Sequence, residues 1–144
     1  MLMLRKAGPA DSEFAYGVKR AAFREYVEKV EGWNEDEQRR LHERRFTTQY
    51  FRVVTLEGTD VGIMAVVVTP GGVTVNQLFL LPAYQGRSLG RECMGLVLEE
   101  ARALKAPVHL RVLKVNPRAR AFYQRLGFVR TGETRTHDLM EWTA

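Results

Sequence analysis

Two stretches of this 144-residue chain hold residues whose types and spacing could do chemistry. The first runs Leu78-Phe79-Leu80-Leu81-Pro82-Ala83-Tyr84-Gln85-Gly86-Arg87-Ser88-Leu89-Gly90 and passes directly into a helical pattern beginning Arg91-Glu92-Cys93-Met94. An apolar strand, a proline stop, a turn of small residues and then a helix brings backbone N–H groups together on an anion, assisted by the positive end of the helix macrodipole. A phosphate-bearing ligand is the expectation. The turn is not the dinucleotide fingerprint, which needs three glycines and an acidic residue about 20 positions on. Nor is it a Walker loop, because no Gly-Lys-Ser/Thr closes it. The second stretch is Asn116-Pro117-Arg118-Ala119-Arg120-Ala121-Phe122-Tyr123-Gln124-Arg125-Leu126-Gly127-Phe128. On a helix, Asn116, Ala119 and Tyr123 stand at i, i+3 and i+7 and share one stripe, where a small residue between two polar ones lets a slender ligand lie. Each has a purely structural reading as well. Asn116 is a good N-cap ahead of Pro117, Ala119 suits close helix packing, and Tyr123 could turn its hydroxyl to solvent.

Other reactive side chains are sparse. His42 falls on a charged helix and reads as solvated, His109 alternates on a strand, and His137 belongs to a terminal strand. The three share no metal-ligand spacing, so no metal is expected. The lone Cys93 sits in an apolar helical stripe and reads as packing rather than as a nucleophile. A single cysteine, no apolar run of signal-peptide length and no 18-residue apolar stretch together predict a soluble, cytoplasmic protein without a membrane partner.

The formal charge of +5 and the pI near 9.7 give a positive mean field that concentrates anionic ligands. Nucleic acid is weighed on the same ground. Arg39-Arg40 and Arg44-Arg45 form the only tight basic cluster, and no aromatic RNA-binding motif or zinc spacing accompanies it, so nucleic-acid binding is a minor alternative.

The elements that must position these residues follow from periodicity and turn chemistry. Met3 to Lys6 reads as a first strand. Phe14, Val18, Ala21, Ala22 and Val30 recur at helical spacing and predict a helix ending near Glu31, where Gly32 breaks it. Asn34 followed by Glu37 resembles a capping box ahead of a polar, more exposed helix anchored by Leu41 and Phe46. Trp33, in the loop between these helices, either staples them to the sheet or lines a pocket. Phe51 to Glu57, Val61 to Val68 and Val73 to Leu81 read as three antiparallel strands, with hairpin signals at Gly58-Thr59-Asp60 and Thr69-Pro70-Gly71-Gly72. A helix from about Ser88 to Leu104, a strand from Val108 to Leu113, a helix opened by Asn116-Pro117 and two last strands around Gly132 complete the chain. The expectation is one α/β (α+β) domain over residues 1–144: a mixed, mainly antiparallel twisted sheet of about seven strands with helices on both faces.

The segment Gln85-Gly86-Arg87-Ser88-Leu89-Gly90 resembles the Gln/Arg-x-x-Gly-x-Gly/Ala pyrophosphate loop of the GNAT N-acetyltransferase superfamily, with Ser88 where that family usually has glycine. Asn116, Ala119 and Tyr123 ahead of Leu126-Gly127-Phe128 are similar to its second signature, and the order of strands and helices matches as well. The resemblance implies an acetyltransferase that uses acetyl-CoA as co-substrate and moves the acetyl group to a primary amine directly, within a ternary complex. It implies a cofactor site made of Leu78, Phe79, Leu80, Gln85, Gly86, Arg87, Ser88, Leu89, Gly90, Asn116, Ala119 and Tyr123. Gln85 would support the loop, and Leu78-Phe79-Leu80 would present backbone groups to the pantetheine arm beside a strand splayed by a bulge. Ser88 would donate its hydroxyl to a phosphate oxygen. Tyr123 would be the general acid for the departing thiolate, suited to it by an ordinary phenol pKa near 10.

The general base is not legible. Many members of that family carry a glutamate on the strand before the loop, but Thr74-Val75-Asn76-Gln77 has no carboxylate. Asn76 or Gln77 could order a water, with Glu25, Glu31 and His109 as substitutes. Tyr26, Glu31, Trp33 and Asn76 are the candidates for contact with the acceptor, whose identity stays open among small amines, polyamines, amino acids and protein N-termini. The missing glutamate leaves a non-catalytic acyl-CoA sensor as an alternative, and the final strands of such a fold could pair across a homodimer.

Overall fold

The structure is a computed structural model that describes all of residues 1–144. Seven strands form a single sheet: β1 (Leu2–Lys6), β2 (Phe51–Leu56), β3 (Thr59–Thr69), β4 (Gly72–Leu80), β5 (Val108–Leu113), β6 (Val129–Glu133) and β7 (His137–Trp142). Four helices accompany it: α1 (Ser12–Val30), α2 (Glu35–Thr48), α3 (Leu89–Leu104) and α4 (Pro117–Arg125). The spatial order is β1-β2-β3-β4-β5-β7-β6. Every neighbouring pair is antiparallel except β4–β5, which are joined by α3 and run parallel.

The helices divide between the two faces. On α1 and α2's side, Ala15 and Val18 pack on Phe51, Ile63 and Ala65, with Phe79 against their edge. On the other side, α3 lays Leu89, Cys93, Met94, Val97, Leu98 and Ala101 onto Val54, Met64, Val66, Val108 and Leu110. Met94 and Val97 are fully buried, each contributing about 1.5–3 kcal/mol by the area it removes from water. α4 lies on α3's side, its Ala119, Phe122 and Tyr123 packed on that larger core.

Several local expectations are corrected. The first hairpin turns on Glu57-Gly58, both at positive φ, so Thr59 and Asp60 belong to the strand and not to the turn. A two-residue turn with positive φ at both positions matches strand twist. Gly132 is not a turn either: it lies inside β6, next to a bulge at Thr131, and the chain reverses after Glu133. Ala21 faces solvent, and the inward stripe of α1 is instead Ala15, Val18 and Lys19, with Val27 further on. His42 is not solvated. It is 3% exposed, and Nε2 meets the hydroxyl and carbonyl oxygens of Ser12 at 3.1 and 3.0 Å. Burial lowers its pKa, against the opposing effect of the bond to the Ser12 carbonyl. The buried stripe of α2 is therefore polar, Gln38 and His42 at i and i+4, because each finds a partner on α1.

Candidate active site

β4 departs from its neighbours at the position that matters. Against β3 the register slips between Ala65↔Gln77 and Val66↔Val75, leaving Asn76 as an extra, bulged residue. Against β5 only Val73↔Val108 and Thr74↔His109 pair. Beyond Thr74 the two strands diverge, and the β4 edge from Asn76 to Leu80 has no partner strand on that side. The gap opens a cleft of about 1150 Å³ that runs from α1 and α2, through the split, to the start of α3 and the face of α4.

One end of the cleft is a turn with open backbone N–H groups. Gln85 Nε2 donates to the Leu80 carbonyl at 2.9 Å, tying the turn to the end of β4. From Gly86 to Arg91 no backbone N–H donates to any group of the chain, and α3 has no side-chain N-cap bond. Open N–H groups at the N-terminus of a 16-residue helix suit a pyrophosphate. Gly86 has φ +74°, and an added Cβ there would meet nothing within 4 Å, so the turn stays open to a ligand. Ser88 also stands in the left-handed region, at φ +64°. A side chain there costs about 1–2 kcal/mol, which accounts for the usual glycine, and its hydroxyl has no partner in the chain. Ser88→Gly is therefore expected to raise unfolding free energy by about 1 kcal/mol in urea melts, part of the relief being offset by chain entropy. No gain would mean that the backbone strain is not borne at this residue. Coenzyme A affinity of the same variant, measured by calorimetry, falls if the hydroxyl donates to a phosphate and stays level if it does not. Arg87 extends over the Tyr84 ring, 5.4 Å from its centroid, on the exposed rim.

The facing wall is α4. Asn116 Oδ1 accepts from Ala119 N–H at 3.1 Å, so the N-cap reading holds, and the side chain still borders the cleft with Ala119 and Tyr123. The helix is pinned to β7 by Arg120, which with Arg130 closes on the buried Asp138 carboxylate. Tyr123 is wedged edge-on between Phe122 (5.0 Å) and Phe128 (5.6 Å). That apolar seat corrects the expectation of an ordinary phenol: burial raises the Tyr123 pKa, so the hydroxyl stays protonated at any working pH. Leu78, Phe79, Leu80, Gly86, Ser88, Leu89 and Gly90 line the same half.

On the other half, Tyr26, Glu31 and Asn76 border the cleft, as do Glu25 and His109. Trp33 does not. It leans on Tyr16 (6.4 Å), donates to Glu35 at 2.7 Å and lies under Arg24, which makes it the staple between α1 and α2. Sequence reasoning passed over Lys19 and gave Arg45 only to a basic cluster, yet both line the cleft. Lys19 is 3% exposed and donates to Gln38 Oε1 at 3.0 Å. Burial, reinforced by the positive charge of Arg45 and opposed by Glu31, lowers its pKa to about 8. Its place one turn after Ala15 on the inward stripe was the available signal. Gln77 is buried with both amide atoms unpartnered.

Cys93 is wholly buried and its thiol is pushed up to about 11 by burial, so it offers no thiolate to the cleft. No group of three or more His, Cys, Asp or Glu side chains could hold a metal ion, and no helix is long and apolar enough to cross a membrane. The basic run on α2 does not form one free face: Arg39 pairs with Glu13 and Glu35, while Arg45 turns into the cleft.

Similarity to known proteins agrees with this geometry. Among solved structures, the chain is similar to the PaiA N-acetyltransferase of Thermoplasma acidophilum in complex with coenzyme A, at 15% identity and TM-score 0.81, covering 100% of this chain and 99% of that one. An acetyltransferase from Thermus thermophilus superposes with TM-score 0.81 at 19% identity, over 100% and 97% of the two chains. The ribosomal-protein-S18-alanine N-acetyltransferase of Escherichia coli gives 0.75 at 18% identity, over 99% and 94%. These likenesses establish the fold. No match is found among curated protein sequences. The family model described as acetyltransferase (GNAT) family matches residues 16–128, and the chain belongs to that family: it is an acetyltransferase.

Proposed function

We propose that residues 1–144 act as one N-acetyltransferase domain that passes an acetyl group from acetyl-CoA directly to a primary amine while both are bound. The observation that carries this reading is the split between β4 and β5, which joins the turn with open N–H groups to a second, separately lined space in one continuous cleft. Two substrates can meet in such a cleft without an enzyme-bound intermediate. The lack of an available thiolate at Cys93 favours the same route.

In this reading the open N–H groups of Gly86 to Arg91 hold the pyrophosphate, and Gln85 keeps the turn closed on Leu80. The unpaired edge of β4 at Leu78 to Leu80 supplies ladder partners to the pantetheine amides. When bound, the coenzyme supplies an acyl carbon activated as a thioester. The acceptor amine attacks that carbon, the C–S bond breaks as the C–N bond forms, and the Tyr123 phenol gives its proton to the leaving sulfur. The amine's surplus proton passes to water ordered at Asn76 and Gln77, which line the cleft, and a proton taken back from that water restores the phenol.

The test is calorimetric titration of acetyl-CoA, desulfo-CoA and ATP at near-physiological salt. Saturable one-site binding, tighter for acetyl-CoA than for ATP, is expected. No heat at high micromolar acetyl-CoA would sink the proposal and leave a likeness of fold alone.

A further inference from the structure

The acceptor half of the cleft gathers positive charge with little counter-charge. Elsewhere on the surface Arg5, Arg20, Arg24 and Arg52 are paired with carboxylates, while Arg40, Arg44 and Arg87 stand unpaired. Arg45, Arg111 and Arg135, which line the cleft, have neither an ion pair nor a hydrogen bond to any side chain, and Lys19 has only the neutral Gln38 amide. Lys19, Arg45, Arg111 and His137 lie close enough that their charges act on one another. Glu31 is the one carboxylate acting on that group, and it too has no ion pair. Gln77, 6% exposed, borders the same space with its amide nitrogen and oxygen both unpartnered. A buried Lys19, a half-buried Arg45 and an exposed Arg111, with one carboxylate among them and an unsatisfied buried amide beside them, leave positive charge and hydrogen-bonding capacity for a ligand to complete.

We infer that the acceptor carries a carboxylate beside its amine, an amino-acid-like zwitterion, with the carboxylate taken by Arg45 and Arg111 and the amine directed to the β4 edge. The inference rests on the acetyl-transfer reading above. A guanidinium fork matches a carboxylate in shape as well as charge, giving paired, charge-assisted bonds that an amide or alcohol cannot reproduce. Lys19, desolvated in the cleft lining, adds positive potential and Gln77 an N–H donor. A polyamine is disfavoured on the same ground, since it would enter a space lined by more cations than carboxylates.

The products of such a reaction are N-acetyl amino acids, and they probe the site without turnover. Protein saturated with coenzyme A is titrated calorimetrically with the N-acetyl derivatives of glycine, leucine, phenylalanine, glutamate and lysine, with the primary amide of each, and with N-acetylspermidine. At least one acid is expected to bind about tenfold or more tightly than its amide, with N-acetylspermidine weaker still. Arg45→Met and Arg111→Gln should each erase most of that preference while coenzyme A affinity stays within about twofold, which also certifies that each variant has folded. Equal binding of acids and amides, tighter binding of the polyamine product, or a preference that survives both substitutions overturns the inference. So does binding of coenzyme A with no acceptor-side binding at all, an outcome that leaves the acetyl-transfer reading standing. Failure of coenzyme A itself to bind removes that reading, and the same acids titrated into the free protein then decide the anion preference.

Discussion

Tyr123→Phe lowers kcat by about 10²-fold, the expected cost of losing a positioned proton donor, with the dissociation constant of coenzyme A changed by less than about twofold. The ring's packing is shared between Phe122 and Phe128 and survives in phenylalanine, so only the hydroxyl is deleted. A thiolate leaves more easily than an alkoxide, yet in an apolar seat its uncompensated charge is expensive, so a proton delivered as the C–S bond breaks acts on the transition state and not on binding. Burial raises the phenol's pKa, which carries a second consequence. The rate should have no alkaline limb from this group up to about pH 10, the ordinary phenol value. Steady-state kinetics of the variant, once an amine acceptor is in hand, decides the matter. A kcat within about threefold of wild type would mean that the thiolate departs unassisted and that Tyr123 only shapes the wall.

Lys19→Met changes how stability depends on pH, by on the order of 3 kcal/mol across the range from pH 7 to 10.5. In the unfolded chain this amine titrates near its ordinary 10.5, and in the folded protein near 8, chiefly through burial. Between those values the unfolded state binds the extra proton, so the Lys19 contribution makes unfolding harder as pH rises. The penalty for burying the charge is borne in full below pH 8 and is gone above 10.5. Cys93 contributes the opposite slope, because its thiol is held protonated to about 11 when folded and ionises near 9 when unfolded. Comparison of wild type with Lys19→Met cancels that and every other shared slope. Urea unfolding of both proteins at steps of pH should show wild type gaining on the variant through the window. Parallel curves would mean that Lys19 reaches solvent well enough to titrate normally.

Much of the architecture was legible in the sequence because it rests on local rules. Strand alternation, the helical stripe of α3, Asn116 ahead of Pro117 and Asn34 ahead of Glu37 each depend on residues within a few positions of one another. The strand, turn and helix N-terminus around Gln85 were legible for the same reason, since they form from consecutive residues, Gln85 to Leu80 included. Even the departure at Ser88 was visible, although only the backbone explains it: the position demands a positive φ.

The acceptor side was not legible, because nothing local encodes it. Whether a polar side chain on a helix is solvated or buried depends on what faces it across tens of residues. His42 read as solvated and is buried because Ser12 on α1 meets its ring. Lys19 is buried because Gln38 on α2 accepts its hydrogen bond. Trp33 was balanced between pinning the helices to the sheet and lining a pocket, and Tyr16 and Glu35 instead hold it between the two helices, away from the cleft. The Tyr123 pKa likewise belongs to the packing around the ring and not to the residue type. By itself the sequence determined the family, the order of the elements and the strand, turn and helix that leave backbone N–H groups open. Only the tertiary structure decided where β4 and β5 part and which charges the gap gathers, because register and desolvation arise from contacts between segments distant in the chain.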